Sequence, residues 1–216
     1  EPVLSPRARG RFLHEVFHRF FEAWDARGEG AITASTLPGA RRAFAEVAEP
    51  LLARLPGSEA ALERTRLFGS AISLGIVELV LGLEASRPAD VRERLLECRL
   101  DGAFSLGLAG GRRVALRGVA DRIDLLSGNR LRVIGYKSGA PPNPRRARQV
   151  PVYALCAQER LAERDGGRWT VEDASYVALS GRRSLVPVVK TAAHAEERLA
   201  GARDRLLAAV DGVGRG

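Results

Sequence analysis

Two short runs of the chain bring together residue types that could do chemistry: Gly118-Val119-Ala120-Asp121-Arg122-Ile123-Asp124 and Val133-Ile134-Gly135-Tyr136-Lys137-Ser138-Gly139. Both alternate like strands, and Ser127-Gly128-Asn129 between them reads as a turn, so together they predict a hairpin. Partners in a hairpin keep a constant index sum. A turn centred on Gly128 therefore sets position 121 opposite position 135, with Lys137 near Asp121 on the same face. Asp121 shares that face with Val119, Ile123 and Leu125, whereas Arg122 and Asp124 point the other way. A carboxylate and a lysine in an apolar row are costly to bury unless they form an ion pair or hold a metal. Both outcomes are compatible with the spacing alone.

The elements that must position this hairpin follow from periodicity. Residues 10 to 24 place Phe12, Leu13, Val16, Phe17, Phe20, Phe21 and Trp24 at helical spacing with a broad apolar face. Gly28 and Gly30 end that helix, and Ser35-Thr36-Leu37-Pro38 reads as the start of the next. Further helices are expected over 38–54 and 58–85. After Pro88 the texture becomes strand-like: Leu95 to Leu108, Arg113 to Leu126 and Arg130 to Lys137, broken at Asp101-Gly102, Gly110-Gly111 and Ser127-Gly128-Asn129, predict a three-stranded meander. Pro141-Pro142-Asn143-Pro144 reads as a rigid turn. A helix over 145–163, a strand over Ala174 to Leu179, a further strand over Leu185 to Val189 and a helix over 191–210 follow. A frayed glycine-rich end at Gly212 to Gly216 closes the order. The expected fold is α/β, a central mixed sheet flanked by helices, in one domain whose residues 1–87 are mainly helical and whose residues 88–216 form the sheet core.

In combination these segments resemble the PD-(D/E)XK nucleases of the RecB and AddB type. That pattern reads G-x-x-D-R-I-D, a hairpin, hydrophobic-D-Y-K-[ST]-G, then a helix with Q-x-x-x-Y. The chain has Gly118 to Asp124, Ile134 to Gly139, and Gln149-Val150-Pro151-Val152-Tyr153, with Arg9-Gly10-Arg11-Phe12-Leu13-His14-Glu15 matching an upstream R-G-x-x-x-H-E. The resemblance spans about residues 9 to 160 and implies a restriction-endonuclease-like fold. It further implies that His14, Asp121 and the main-chain carbonyl of Tyr136 hold Mg or Mn, oxygen-rich ligation that suits hard cations. Lys137 is implied to position the water that attacks the scissile phosphate, with Gln149 and Tyr153 lining the site. The implied partners are DNA, single-stranded, and a helicase domain or subunit acting in recombinational repair.

The chain departs from the pattern at Gly135, where an acid is expected. A glycine supplies no ligand, so impaired catalysis is expected. A recent substitution, a degenerated nuclease kept as a DNA-binding or structural module, and relocation of the acid to Asp124 or Glu97 all account for it. The intact remainder favours a recent loss, and Glu97 is the better relocated acid because Asp124 faces away from Asp121. A rival motif is His14-Glu15-Val16-Phe17-His18, the H-E-x-x-H of a zinc-protease helix. It leaves the matches from Asp121 to Tyr153 without a role.

Charge and composition bound the rest. Thirty-four Lys and Arg against 26 Asp and Glu give a net charge of +8, and Lys occurs only at 137 and 190. Arginine-rich surfaces suit polyanions, because guanidinium forks pair with phosphate and release counterions. Arg145, Arg146 and Arg148, beside the expected site helix, are candidate DNA contacts, whereas Arg41-Arg42 and Arg182-Arg183 read as surface charge. Cys98 and Cys156 lack metal-binding spacing, and the four cysteines of an iron-sulfur cluster have no counterparts. No stretch approaches the roughly 18 apolar residues of a membrane span. The start, Glu1-Pro2-Val3-Leu4, has no signal-peptide character and the chain has no Met, which predicts a cytoplasmic piece of a longer polypeptide.

Overall fold

The computed structural model describes residues 4–107, 111–140, 142–179 and 185–213. Leu108, Gly110, Pro141, Arg182-Arg183, the first three residues and residues 214–216, all used in expectations above, lie outside the described residues. The chain divides into two compact units.

The first unit is built from the chain up to Val91, with short segments beginning at Tyr136 and Val177. Its first helix, α1 (Pro6–Ala26), starts on a Ser5 side chain that accepts from the Ala8 N–H, with Pro6 in the first turn. The expected apolar stripe from Phe12 to Trp24 is buried. Phe17 and Phe20 meet Phe44 of α2 (Leu37–Leu52) at ring separations of 5.3 Å each. The helix expected over 58–85 is two helices, α3 (Gly57–Phe68) and α4 (Ile76–Ser86), separated by a small hairpin of β1 (Gly69–Ser70) and β2 (Ser73–Leu74). Glycine dictates the break. Gly69 has φ +84, and a Cβ on Gly75 would lie 2.2 Å from the Leu67 carbonyl oxygen, so the chain turns where only glycines allow the approach.

The second unit carries most of a five-stranded mixed sheet flanked by helices, in the order β3-β6-β7-β8-β9, which is the expected α/β class. Its elements are β3 (Val91–Arg99), β4 (Gly102–Phe104), β5 (Val114–Leu116), β6 (Val119–Leu126), β7 (Arg130–Lys137), α5 (Gln149–Asp165), β8 (Thr170–Ala178), β9 (Leu185–Val189) and α6 (Ala192–Val213). The break expected at Asp101-Gly102 is present, with chain 95–108 bending at Leu100-Asp101, and chain 113–126, expected as one run, bends at Arg117-Gly118, so that β4 and β5 form a separate ribbon. The bends are tied together: Leu100 donates to the Gly118 carbonyl at 2.8 Å, and the Gly118 N–H donates to Asp101 Oδ1 at 3.1 Å.

The β6–β7 hairpin has the expected register, with Arg122 opposite Ile134, Ile123 opposite Val133 and Leu126 opposite Arg130. On one face Ile123, Leu125, Leu131 and Val133 enter a core shared with Val150, Ala154 and Leu161 of α5. On the other face lies a buried charge cluster. Arg122 forks onto Asp124 at 2.6 and 2.7 Å, Arg132 reaches the same carboxylate at 2.6 and 2.8 Å, and Arg94 stands 3.8 Å away. Burial alone would raise the Asp124 carboxyl, but the guanidiniums of Arg122, Arg132 and Arg94 hold it down to about 2.

Removing the charge leaves buried guanidiniums without their shared counterion. Asp124→Asn is expected to destabilise the protein by about 3–5 kcal/mol in urea unfolding. Because the folded carboxyl titrates below its unfolded value, its stabilisation is complete above about pH 4 and is lost as the pH falls towards about 2. The variant should show a flatter stability profile across that acid window.

Candidate metal centre

Carried one residue further, the observed register of the hairpin sets Asp121 beside Gly135. Asp121 is half-buried near the start of β6, on the face turned towards α5. β3 lies on the other side of β6 and presents Glu97. Glu97 is exposed, and its carboxylate has an oxygen within 4.8 Å of one on Asp121. Two carboxylates at that separation repel unless a cation or a proton lies between them, and hard divalent cations favour such oxygen donors. The backbone of Glu97 has φ +46, an unusual value for a non-glycine residue in a strand. Holding it there costs roughly 1–3 kcal/mol, the kind of strain that other contacts must over-determine.

Gly135 is not an open vacancy. A Cβ there would lie 3.0 Å from Tyr176 Cδ1 and 3.1 Å from Val150 Cγ2, closer than ordinary side-chain contact. The Tyr176 hydroxyl accepts from the Val150 N–H at 3.3 Å, which satisfies one of the open donors at the start of α5, whose N-cap residue Arg148 makes no side-chain cap bond. The ring and the helix start thus brace each other over Gly135. Burial raises the Tyr176 phenol, with the Tyr153 and Asp121 charges adding to it. Asp124, the other relocation candidate, is fully enclosed by arginines and has no free face for a cation.

Helix α5 delivers the Q-x-x-x-Y residues from one face of its first turns. Gln149 Nε2 donates to the Tyr153 hydroxyl at 3.4 Å. Tyr153 lies over bare backbone, since a Cβ on Gly118 would come within 2.6 Å of its hydroxyl oxygen. That close approach accounts for the first glycine of the Gly118 to Asp124 run. Arg145, Arg146 and Arg148, in the turn leading into α5, are all exposed.

The remaining expected site residues belong to the first unit. His14, half-buried on α1, stands edge-on to the Tyr136 ring at 6.2 Å, and Phe17 stacks on the same ring at 5.4 Å. Gly10 lies close under Ser138, where a Cβ would meet its Oγ at 3.2 Å. Lys137 is the last residue of β7, and its carbonyl accepts from Leu179 N at 2.8 Å. The rival zinc helix gains nothing. Glu15 pairs with Arg19 at 3.1 Å and with Arg54 at 3.9 Å, and among the described residues no ligand cluster joins His14 to His18.

The five-stranded mixed sheet flanked by helices is that of a restriction-endonuclease-like fold. The chain belongs to the PD-(D/E)XK nuclease superfamily, whose family model matches residues 1–216. No curated protein matches the chain. Family membership points to a nuclease with divalent-metal chemistry, and the two acids fit such an ion.

The packing around position 135 makes a specific expectation. Gly135→Asp alone should lower stability by about 1–3 kcal/mol, because Tyr176 and Val150 must move. Adding Val150→Ala should recover part of that loss in the same unfolding assay; no recovery would mean that the crowding is not the cause.

Proposed function

We propose that the chain is a Mg- or Mn-dependent deoxyribonuclease domain of the RecB-like, AddB-type branch, with residues 1–216 acting as one domain. Its substrate is single-stranded DNA delivered by a helicase domain or subunit during recombinational repair in the cytoplasm. The observation that carries the reading is the approach of Glu97 to Asp121, which restores a second acid where Gly135 offers none. His14 and the main-chain carbonyl of Tyr136 complete the donor set, as the sequence pattern implies. When bound, the ion supplies Lewis-acid stabilisation of the phosphate and activation of water. Lys137, placed by alternation on the Gly135 face of β7, orients the water and offsets charge developing on the phosphate. Gln149 and Tyr153 border the site from α5, and Arg145, Arg146 and Arg148 carry DNA backbone contacts.

A second reading, a nuclease fold kept only to bind DNA, is favoured by one observation: the space at Gly135 is taken by Tyr176 and Val150. Labelled single-stranded DNA incubated with Mg and with Mn separates the two. Cleavage is expected with either ion and is lost in EDTA, and Asp121→Asn, Glu97→Gln and Lys137→Ala should each slow it by roughly 10²-fold or more. Tight binding without cutting in both metals would establish the second reading instead.

A further inference from the structure

Between α5 and the bends that follow β3 and precede β6, the strands that carry the two acids, lies a cavity of about 300 Å³. Its apolar lining is Leu100, Leu116, Val152, Tyr153 and Cys156, of which Leu100 and Cys156 are buried. Burial, with the Glu159 charge adding to it, pushes the Cys156 thiol up to about 12, so it lines the cavity as an uncharged group. Arg117, Arg148 and Gln149 edge the opening. Both arginines are exposed; Arg117 lies near enough to Asp101 to help hold that carboxyl down, and Asp101 is itself paired with Arg99 at 2.7 Å. Elsewhere Arg27, Arg41 and Arg64, for instance, are each paired with a glutamate.

Position along the chain ties this cavity to the acids. Leu100 is three residues beyond Glu97, and Gly118, on whose backbone Tyr153 rests, is three residues before Asp121. At strand spacing each step is roughly 10 Å, so the cavity faces a nucleotide close to the phosphate at the acids. Its backbone wall is pinned by the Leu100–Gly118 and Gly118–Asp101 hydrogen bonds.

We infer that this cavity receives one unstacked base of the DNA strand, with Arg117 and Arg148 holding the phosphates on either side of it. The inference rests on the nuclease reading for the identity of its ligand. An apolar slot with an aromatic wall and a cationic rim matches a nucleotide, whose flat base and charged phosphate are joined by a short sugar. The amide of Gln149 lies at the rim, where it meets the polar edge of a base and gives the slot a means of preferring one base over another. A paired and stacked base cannot enter, so the slot selects single strands or frayed ends over intact duplex.

The test is binding in EDTA, where no cutting occurs, measured by fluorescence anisotropy of a labelled single strand. It is compared with a strand of the same length whose bases are replaced by abasic sites. The unaltered protein is expected to bind the base-bearing strand about tenfold more tightly. Val152→Trp, which fills the slot, should abolish that preference without moving the melting temperature. Arg117→Ala with Arg148→Ala should weaken both strands alike and lower the salt dependence of binding. Equal affinity of the unaltered protein for the two strands overturns the inference, as does a preference that survives in a folded Val152→Trp. A base preference in EDTA with no cleavage in Mg or Mn would sink the nuclease reading while leaving the slot intact.

Discussion

The register of one hairpin governs the rest of the second unit. Three residues, Ser127, Gly128 and Asn129, close β6 onto β7, and two of them adopt positive φ, +74 at Gly128 and +53 at Asn129. Glycine and asparagine reach that region at least cost, so the turn admits this loop length and resists a longer or shorter one. Two further constraints hold the pairing. Arg132 of β7 grips Asp124 of β6 directly across the ladder, and the Asn129 carbonyl accepts from Thr170 at the start of β8. A slip of one residue would send Asp121 to the arginine face and Asp124 to the face of α5, removing the approach of Asp121 to Glu97 and unmasking buried guanidiniums together.

Two aspartates three residues apart on one strand thus have opposite fates. Asp124 is saturated by short bonds to Arg122 and Arg132, and its charge is spent inside the protein. Asp121 looks towards α5, where its charge is felt at Tyr176, and comes within 4.8 Å of the Glu97 carboxylate on the neighbouring strand. The difference follows from strand alternation and from which cations share each face. Arginine at 122, 132 and 94 is what makes one of these acids structural.

Alternation and turn chemistry made much of this legible in the residues. The α1 stripe, the hairpin register, the helix carrying Gln149 and Tyr153, and the mixed sheet all follow from local patterns that tertiary packing reinforces. Sequence reading failed where two glycines act at a distance. Gly69 and Gly75 turn a continuous helical pattern into α3, a small hairpin and α4, because the close approach that they permit is visible only once the chain has folded. Asp101-Gly102 marks the break within 95–108, whereas 113–126 reads as a single strand because nothing local shows that Gly118 bends there to meet Asp101. Tyr176 lies in a strand recognised from its pattern, yet its role over Gly135 has no local signal.

On the proposed reading, the glycine at 135 and the glutamate at 97 are two halves of one exchange. Asp121 sits on the strand between β3 and β7, and adjacent strands lie about 4.8 Å away on either side. A carboxylate from either neighbour can therefore reach the same ion. Here β7 contributes bare backbone, and the volume left is occupied by a tyrosine ring whose hydroxyl also accepts from the first turn of α5. Reinstating an acid on β7 would displace that ring and release the helix start with it. Supplying it from β3 instead places the cost in the left-handed backbone at Glu97 and leaves the packing over Gly135 intact. On the proposed reading the site keeps its charge while its acid changes strands, and the braced ring makes the change hard to reverse by substitution at Gly135 alone.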